Sequence, residues 1–449
     1  MERRKVNDAL LEYYRCPEIY VDFTLSGELS DDSGYFRFGQ DAICYGQSCS
    51  GSRAKLLTSE LYDAFADVTV NGSAALPFDP TQVVENLRLE RYVRDSRGAS
   101  KAILQNAYYL VRSMMSPALR KRVQRTYFKG WEKQRFPNWP VDWTVESILE
   151  TLLVLSLKAR SLDRIPFIWF WPDGAPSCAV VTHDIETLAG RDFCSTLMDI
   201  DDSFAIKSAF QIIPEERYPV LGSFLDEMRG RGFEINVHDS NHDGYLFKNR
   251  EEFLRRAQRI NQYGRDFGAL GFRSGILYRN EEWYEALDFA YDMSIPNVAH
   301  LDPQRGGCCT VMPFFIDKLL ELPTTATQDY TLFNILNDYS IDLWKRQLAF
   351  ITEKHGLANF IVHPDYVIEK RAQRTYKELL EYLVSLRSDG KIWVALPREV
   401  DHWWRQRRQM RLLRSGDKWR VEGPGQDRAL IAYASLANDR LEYTLEKSE

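Results

Sequence analysis

The feature that most constrains this chain is an alternation of short apolar segments with longer helical segments between residues 166 and 400. Each apolar segment is bounded by charged residues, glycine or proline, which is typical of buried strands, and the helical segments repeat their apolar residues every three or four positions. The predicted strands are "SCAVVT", "IKSAFQII", "GFEINV", "FGALGF", "LLELP", "ANFIV" and "KIWVAL". Because strands that alternate with helices pair in parallel, the sequence predicts an α/β domain with a parallel sheet or barrel.

The residues on either side of this region have different patterns. Short aromatic runs such as "GYFRFG" and "AICYG", with the turn Asn71-Gly72, predict a β-rich N-terminal module. Helical periodicity follows, and the chain ends with short alternating strands that predict a small β appendage. The predicted segments are 1–80 (β-rich), 81–165 (helical), 166–400 (α/β) and 401–449 (C-terminal β). The N-terminal sequence leaves open whether it recognises a substrate, forms a dimer interface or shields the sheet.

Charge and composition exclude several classes of protein. The net charge is −6, and no segment is basic enough for nucleic acid to be the main partner. The apolar stretches are too short to span a bilayer. The N-terminal "MERRKVNDALLEYY" lacks the apolar core of an export signal, so we expect a cytoplasmic protein whose seven cysteines are free thiols. Cys308 and Cys309 are expected to be small buried residues.

One cluster of basic residues lies between residues 112 and 135. It has two interpretations: the solvated face of a helix, or a surface for peripheral contact with an acidic glycan or a lipid head group. An oligomer is also compatible with the sequence. The chain has no P-loop and no G-x-G-x-x-G motif, so a nucleotide cofactor is not expected.

Residues that carry protons or bind metals follow four of the predicted strands. They are His183, Asp184 and Glu186 after "AVVT", His238 and His242 in "HDSNHDG", Arg273 after "GALGF", and His363 after "ANFIV". In a parallel barrel the loops at the carboxyl ends of the strands converge and form the active site. The sequence therefore predicts that these four strand ends form one site. His183, His300 and His355, taken singly, are expected to be structural histidines.

The spacing within this set favours a metal site. His238 and His242 are four residues apart in a sequence typical of a turn, where two imidazoles can still converge on one ion. Asp184 and Glu186 are two residues apart, so in an extended strand both face the same way. One carboxylate can complete a three-ligand site and the other can accept a proton from water. The alternative for these carboxylates is a salt bridge to a nearby arginine such as Arg191.

Taken together, the stretches "VVTHDIE", "NVHDSNH", "GFRSGILYRN", "FAYDMS" and "FIVHPDY" resemble the polysaccharide deacetylase family, also called the NodB-homology or carbohydrate esterase 4 family. The resemblance covers about residues 166–400. It implies a distorted (β/α)7-type barrel, a divalent metal ion and hydrolysis of N- or O-acetyl groups on sugars. Zinc is the expected ion, with cobalt, nickel and manganese as alternatives.

The resemblance also implies roles for individual residues. Asp184 and Glu186 resemble a D-x-D variant of the first motif, with Asp184 as general base and Glu186 as metal ligand, although the two roles could be exchanged. His238 and His242 match the histidine ligands. Arg273 would orient the base, and His363 would be the general acid.

The chain departs from the family pattern at three places. Asp239 stands where the family usually has Ser or Thr. The Pro-Tyr that follows the arginine in the family is absent; Gly275 and Ile276 replace it, and Tyr278 lies further on. Asp292 resembles a structural position.

The resemblance implies a metal-dependent carbohydrate deacetylase, a hydrolase acting on carbon–nitrogen bonds other than peptide bonds. For a cytoplasmic protein the expected substrate is an acetylated sugar or polysaccharide precursor, with N-acetyl groups preferred. Two alternatives remain: a barrel that binds a sugar or metal without hydrolysis, and a metal-dependent amidohydrolase of a small non-carbohydrate amide.

Overall fold

A computed structural model describes residues 7–51, 53–57, 60–94, 126–416, 418–438 and 440–447. The chain forms two compact units. We call them the flanking unit, whose described residues lie within 1–96, 143–175 and 402–449, and the sheet unit, whose described residues lie within 126–142 and 176–401. The flanking unit contains described residues from the N-terminal, helical and C-terminal segments of the chain.

The flanking unit is rich in strands, as the patterns near both ends of the chain predicted. Its strands are β1 (Phe23–Leu25), β2 (Gly34–Phe38), β3 (Ala42–Gly46), β4 (Thr69–Val70), β5 (Ala74–Leu76), β6 (Arg164–Ile168), β16 (Arg411–Ser415), β17 (Lys418–Glu422), β18 (Leu430–Ala437) and β19 (Arg440–Lys447). The C-terminal strand β18 pairs with β19 and also with β6. β18 and β19 therefore form a three-stranded sheet with β6, whereas β16 and β17 pair only with each other.

Four helices accompany these strands: α1 (Asp8–Tyr14), α2 (Pro80–Arg88), α3 (Arg91–Arg94) and α4 (Thr144–Ala159). The leucine-rich helix α4 is apolar around most of its circumference, which is typical of a buried helix. Ile148, Leu149, Leu152 and Leu153 are indeed at most 1% exposed.

The sheet unit contains the parallel sheet that the alternating pattern predicted. Its strands are β7 (Cys178–Ile185), β8 (Ala209–Ile212), β9 (Glu234–His238), β10 (Gly271–Arg273), β11 (Tyr291–Asp292), β12 (Phe314–Ile316), β13 (Leu319–Glu321), β14 (Leu357–Ile361) and β15 (Trp393–Val394). Seven of them form a parallel run in the order β13-β11-β10-β9-β8-β7-β14. β12 is antiparallel to β13, and β15 pairs in parallel with the start of β7.

Helices connect most of these strands, and they are α5 (Leu188–Ser203), α6 (Gly222–Gly230), α7 (Arg250–Phe267), α8 (Asp342–Glu353) and α9 (Lys370–Ser388). A further helix, α10 (Pro397–Gln409), follows β15 along the chain. The sequence stops α7 with Gly268, whose positive φ of 58° ends the helix in the left-handed conformation. The seven strands of the parallel run are buried along their whole length, as expected of a parallel sheet that is covered on both faces.

The sheet curls until its two ends come close. After β13, Ala326 N donates to Asn359 O of β14 at 3.2 Å, and Thr325 Oγ1 donates to Leu357 O at 2.7 Å. These contacts bring the chain beside the far edge strand without a complete strand pair. The predicted α/β class and the distorted barrel of seven parallel strands are thereby confirmed.

Several smaller expectations concern the surface and the thiols. The seven cysteines, all of which lie in the described part of the chain, form no disulfide, and Cys308 and Cys309 are fully buried. Among the residues that the structure describes, no helix is both long and apolar enough to cross a bilayer. Most of the basic cluster at 112–135 lies outside the described residues; its described members Lys129, Lys133 and Arg135 are exposed.

Candidate metal centre

The strand order brings the predicted site residues to one edge of the sheet. Asp184 is the penultimate residue of β7, and Glu186 follows the end of that strand. His238 and Arg273 are the last residues of β9 and β10, where they are register partners. His363 comes two residues after β14, which pairs with β7. Because the carboxyl ends of parallel strands share an edge, residues nearly 180 positions apart meet there.

Three of these side chains converge closely enough to hold one ion. A ligand atom of Glu186, one of His238 and one of His242 all lie within 4.8 Å of one another. Glu186 Oε1 lies 2.9 Å from His242 Nε2 and 3.9 Å from His238 Nε2. His242 lies in a turn and has a positive φ of 57°. The H-x3-H pair therefore converges through a turn, as the polar residues between the histidines predicted.

The bonding of the two imidazoles fits a divalent metal. His238 Nε2 and His242 Nε2 are both buried, and both face Glu186 Oε1. His238 Nδ1 lies 3.1 Å from Arg273 O, so Nδ1 carries the proton and Nε2 presents its lone pair. A backbone carbonyl that fixes the tautomer of a metal-binding histidine is a common second contact in metal sites. Two imidazoles and a carboxylate are also a common catalytic zinc set.

Asp184 is held by Arg273 and not by Arg191. Arg273 Nη1 donates to Asp184 Oδ1 at 2.5 Å and to Thr182 Oγ1 at 2.8 Å, while Arg273 Nε donates to Met293 O at 3.0 Å. Arg191 instead forms an ion pair with Asp192. Burial by itself would raise the pKa of Asp184, but the charge of Arg273, and then those of His238 and His363, lower the pKa below its usual value. Asp184 is therefore a fixed, ionised carboxylate beside the three potential ligands.

His363 is fixed by a carboxylate that the sequence did not reveal. His363 Nδ1 lies 2.6 Å from Asp329 Oδ1, and the His363 backbone N donates to Asp329 Oδ2 at 2.8 Å. His363 Nε2 faces Glu186 Oε1 at 3.5 Å. Burial alone would lower the pKa of His363, but Asp329 and then Glu186 raise it well above its usual value. The raised pKa favours the protonated form of His363, whose Nε2 faces the ligand cluster.

Two other expected structural residues lie near the site. His183 is fully buried; its Nδ1 lies 2.8 Å from Val362 O and its Nε2 lies 3.2 Å from Asp201 Oδ2. Asp292 is also fully buried and accepts hydrogen bonds from Ser294 N and Oγ at 3.1 and 2.6 Å. Ser294 Oγ in turn accepts from Ser274 N at 2.8 Å, so Asp292 supports the backbone that follows Arg273.

The residues after Arg273 replace the Pro-Tyr of the polysaccharide deacetylase family. Gly275–Leu277 forms a single short helical turn in which Ile276 has a positive φ of 63°. Tyr278 then lies buried at 8% exposure. His300 and His355 lie away from the ligand cluster on other loops, and His355 Nδ1 contacts Pro176 O at 3.0 Å.

Comparisons with known proteins agree in part with this description. No protein-family model and no curated protein matches the chain. Solved structures to which it is similar include a protein assigned as a polysaccharide deacetylase from Mycobacterium smegmatis (17% identity, TM-score 0.43, 53% of this chain and 93% of that one). Puue allantoinase (12%, 0.41, 52% and 92%) and the peptidoglycan deacetylase PdaC from Bacillus subtilis (11%, 0.33, 50% and 90%) are also similar. Two of these three structures are thus described as deacetylases of a polysaccharide or of peptidoglycan.

Proposed function

We propose that this protein is a metal-dependent hydrolase that removes acetyl groups, N-acetyl groups first, from a sugar or polysaccharide precursor. One observation carries the proposal: the three potential ligands Glu186, His238 and His242 cluster within 4.8 Å. On either side of them stand a carboxylate held by arginine and a histidine held by aspartate. Water activation next to an acyl group needs a Lewis acid, a base and an acid, and this cluster offers candidates for all three.

Glu186, His238 and His242 would hold the ion, and two imidazoles with one carboxylate favour zinc, while cobalt, nickel or manganese suit the same donors. When bound, such an ion polarises the acyl carbonyl and lowers the pKa of bound water to about 7. Glu186 is the stronger candidate for the third ligand because its Oε1 approaches His242 Nε2 at 2.9 Å. Asp184 is more distant: its Oδ2 lies 3.7 Å from His238 Nε2, and its Oδ1 accepts a hydrogen bond from Arg273.

Asp184 would accept the proton of the attacking water. Arg273 has two effects on this base: it fixes the position of one carboxylate oxygen and keeps the carboxylate ionised, through the lowered pKa of Asp184. The second oxygen, Oδ2, remains available on the side of His238. A base in a fixed orientation next to the nucleophile lowers the entropic cost of the reaction.

His363 would donate a proton to the leaving nitrogen. Its Nδ1 is occupied by Asp329, so the transferable proton lies on Nε2, which faces the cluster. The raised pKa of His363 keeps this proton in place at neutral pH. A protonated imidazole next to a departing amine is a suitable general acid.

Two measurements on the purified protein test the proposal together: elemental analysis, and acetate release from N-acetylglucosamine oligosaccharides, O-acetylated sugars and N-acetylated sugar nucleotides. We expect about one divalent ion per chain and acetate release that a chelator abolishes and added metal restores. Bound metal with hydrolysis of small non-carbohydrate amides only would favour an amidohydrolase. Bound metal without any hydrolysis would indicate a binding protein, and absence of bound metal would overturn the proposal.

We expect the Asp329→Asn variant to lose activity at a lower alkaline pH than the parent protein. Removing the Asp329 charge lowers the pKa of His363, so the general acid loses its proton at a lower pH and the alkaline limb of kcat/KM moves down. NMR titration of the His363 ring and the pH profile of acetate release would measure the two shifts. Asp338→Asn, which changes another carboxylate at a loop position, is the control. An unchanged alkaline limb together with a lowered His363 pKa would show that His363 is not the acid.

A further inference from the structure

Asp239 has a carboxylate oxygen that the rest of the site does not explain. The backbone of Asp239 follows β9 in the left-handed conformation, with a φ of 57°, and its N donates to Arg273 O at 2.9 Å. Asp239 Oδ1 accepts a hydrogen bond from Ser240 N at 2.6 Å. Asp239 Oδ2 is buried and, within the described part of the chain, has no hydrogen-bond partner; the residue is 1% exposed.

Gly275 shows where this oxygen points. A Cβ atom added to Gly275 would lie 2.6 Å from Asp239 Oδ2 and 3.0 Å from His242 Cδ2. Real Cβ atoms do not approach other atoms at 2.6 Å, so a side chain at position 275 would displace the carboxylate or the imidazole. Asp239 Oδ2 therefore lies beside the ring of a potential metal ligand, in a space that glycine keeps open.

A buried carboxylate oxygen without a partner is costly unless a positive charge lies nearby. The buried cations Arg273 and Arg256 next to this loop already have acceptors, since Arg273 donates to Asp184 and Arg256 donates to Asn241 and Asp243. Arg217 is an exposed side chain that donates to the carbonyls of Asn241 and His242. Asp365, which lies near His363, is another carboxyl group and cannot supply a positive charge. A divalent ion held by the His242 and His238 nitrogens would supply the missing positive charge.

We propose that Asp239 is an anionic group of the metal site that does not ligate the ion but increases the site's affinity for a divalent cation. The inference rests on the proposed function, since it takes Glu186, His238 and His242 as ligands. Gly275 is the matching positioning residue, because it leaves room for the carboxylate beside His242. Groups that surround metal ligands without touching the ion commonly change metal affinity by 10–100-fold.

The test is Asp239→Asn, which keeps the acceptor for Ser240 N and removes the charge. We expect zinc affinity, measured by competition with a chelating dye, to fall by about 10–100-fold. The absorption spectrum of the cobalt-loaded protein should stay unchanged because the three ligands are intact. The melting temperature of the metal-free variant should rise by about 1–2 °C, since an unpaired buried charge is removed. A purely structural role for Asp239 would lower that temperature.

Two further variants complete the test. Asp226→Asn makes the same charge change at an exposed position that pairs with Arg229, and it should leave zinc affinity unchanged. Gly275→Ala should also weaken zinc binding, because its Cβ displaces Asp239 or His242. Zinc affinity of Asp239→Asn within twofold of the parent would overturn the inference and leave the proposed function intact. A parent protein that binds no divalent ion would instead overturn the proposed function.

Discussion

Replacing Asp184 by asparagine is expected to slow acetate release by about 10²–10⁴-fold while the protein keeps its metal. The amide cannot accept the proton of water, whereas Glu186, His238 and His242 remain in place to hold the ion. The buried Arg273 loses its carboxylate partner in this variant, so some loss of stability should accompany the loss of activity. Acetate release and metal content, measured on the same preparation, give both results.

Asp226→Asn is the matched control, since it makes the same chemical change on an exposed helix position and should keep full activity. Retained activity of the Asp184 variant would place the base elsewhere. Loss of metal by the Asp184 variant would instead indicate that Asp184 is the metal ligand and Glu186 the base. The 3.7 Å distance between Asp184 Oδ2 and His238 Nε2 permits this exchange of roles.

His238→Ala is expected to lose both the metal and the activity. His238 is the last residue of a buried central strand, and its Nδ1–H donates to Arg273 O, which fixes the direction of Nε2 toward Glu186. Loss of one of three protein ligands should weaken metal binding far more than loss of a surrounding group, and we expect substoichiometric metal after dialysis. Elemental analysis and acetate release with and without added zinc would measure the effect.

His402→Ala provides the histidine control, because His402 is an exposed residue of α10. This variant should bind metal and release acetate at the level of the parent. A His238 variant that keeps a full equivalent of tightly bound metal would contradict the assignment of the ligands.

The fold and the position of the site follow from local sequence patterns. Apolar segments such as Cys178–Ile185 are fully buried strands, and their alternation with amphipathic helices requires parallel pairing. Parallel pairing in turn places the residues after each strand at one edge. This is why the convergence of Glu186, His238 and His242 could be predicted without knowing the strand order.

Residues that act through long-range contacts could not be predicted in this way. Asp329 begins a short helical segment after β13 and meets His363 only because the curled sheet brings that segment beside β14. An isolated acidic residue is common on protein surfaces, so the sequence around Asp329 does not indicate this contact. The two-unit arrangement depends on pairing between β6 and β18, which are more than 260 residues apart, and periodicity carries no information about such pairs.

The face of strand β7 opposite Asp184 carries a buried hydrogen-bond network. His183 points away from Asp184 and joins Asp201, which also accepts hydrogen bonds from Ser208 and Tyr376. These residues belong to α5, the start of β8 and α9, on the far side of the sheet from the ligand cluster. A substitution that breaks this buried network would be expected to shift β7, and Asp184 on the opposite face of the strand would move with it.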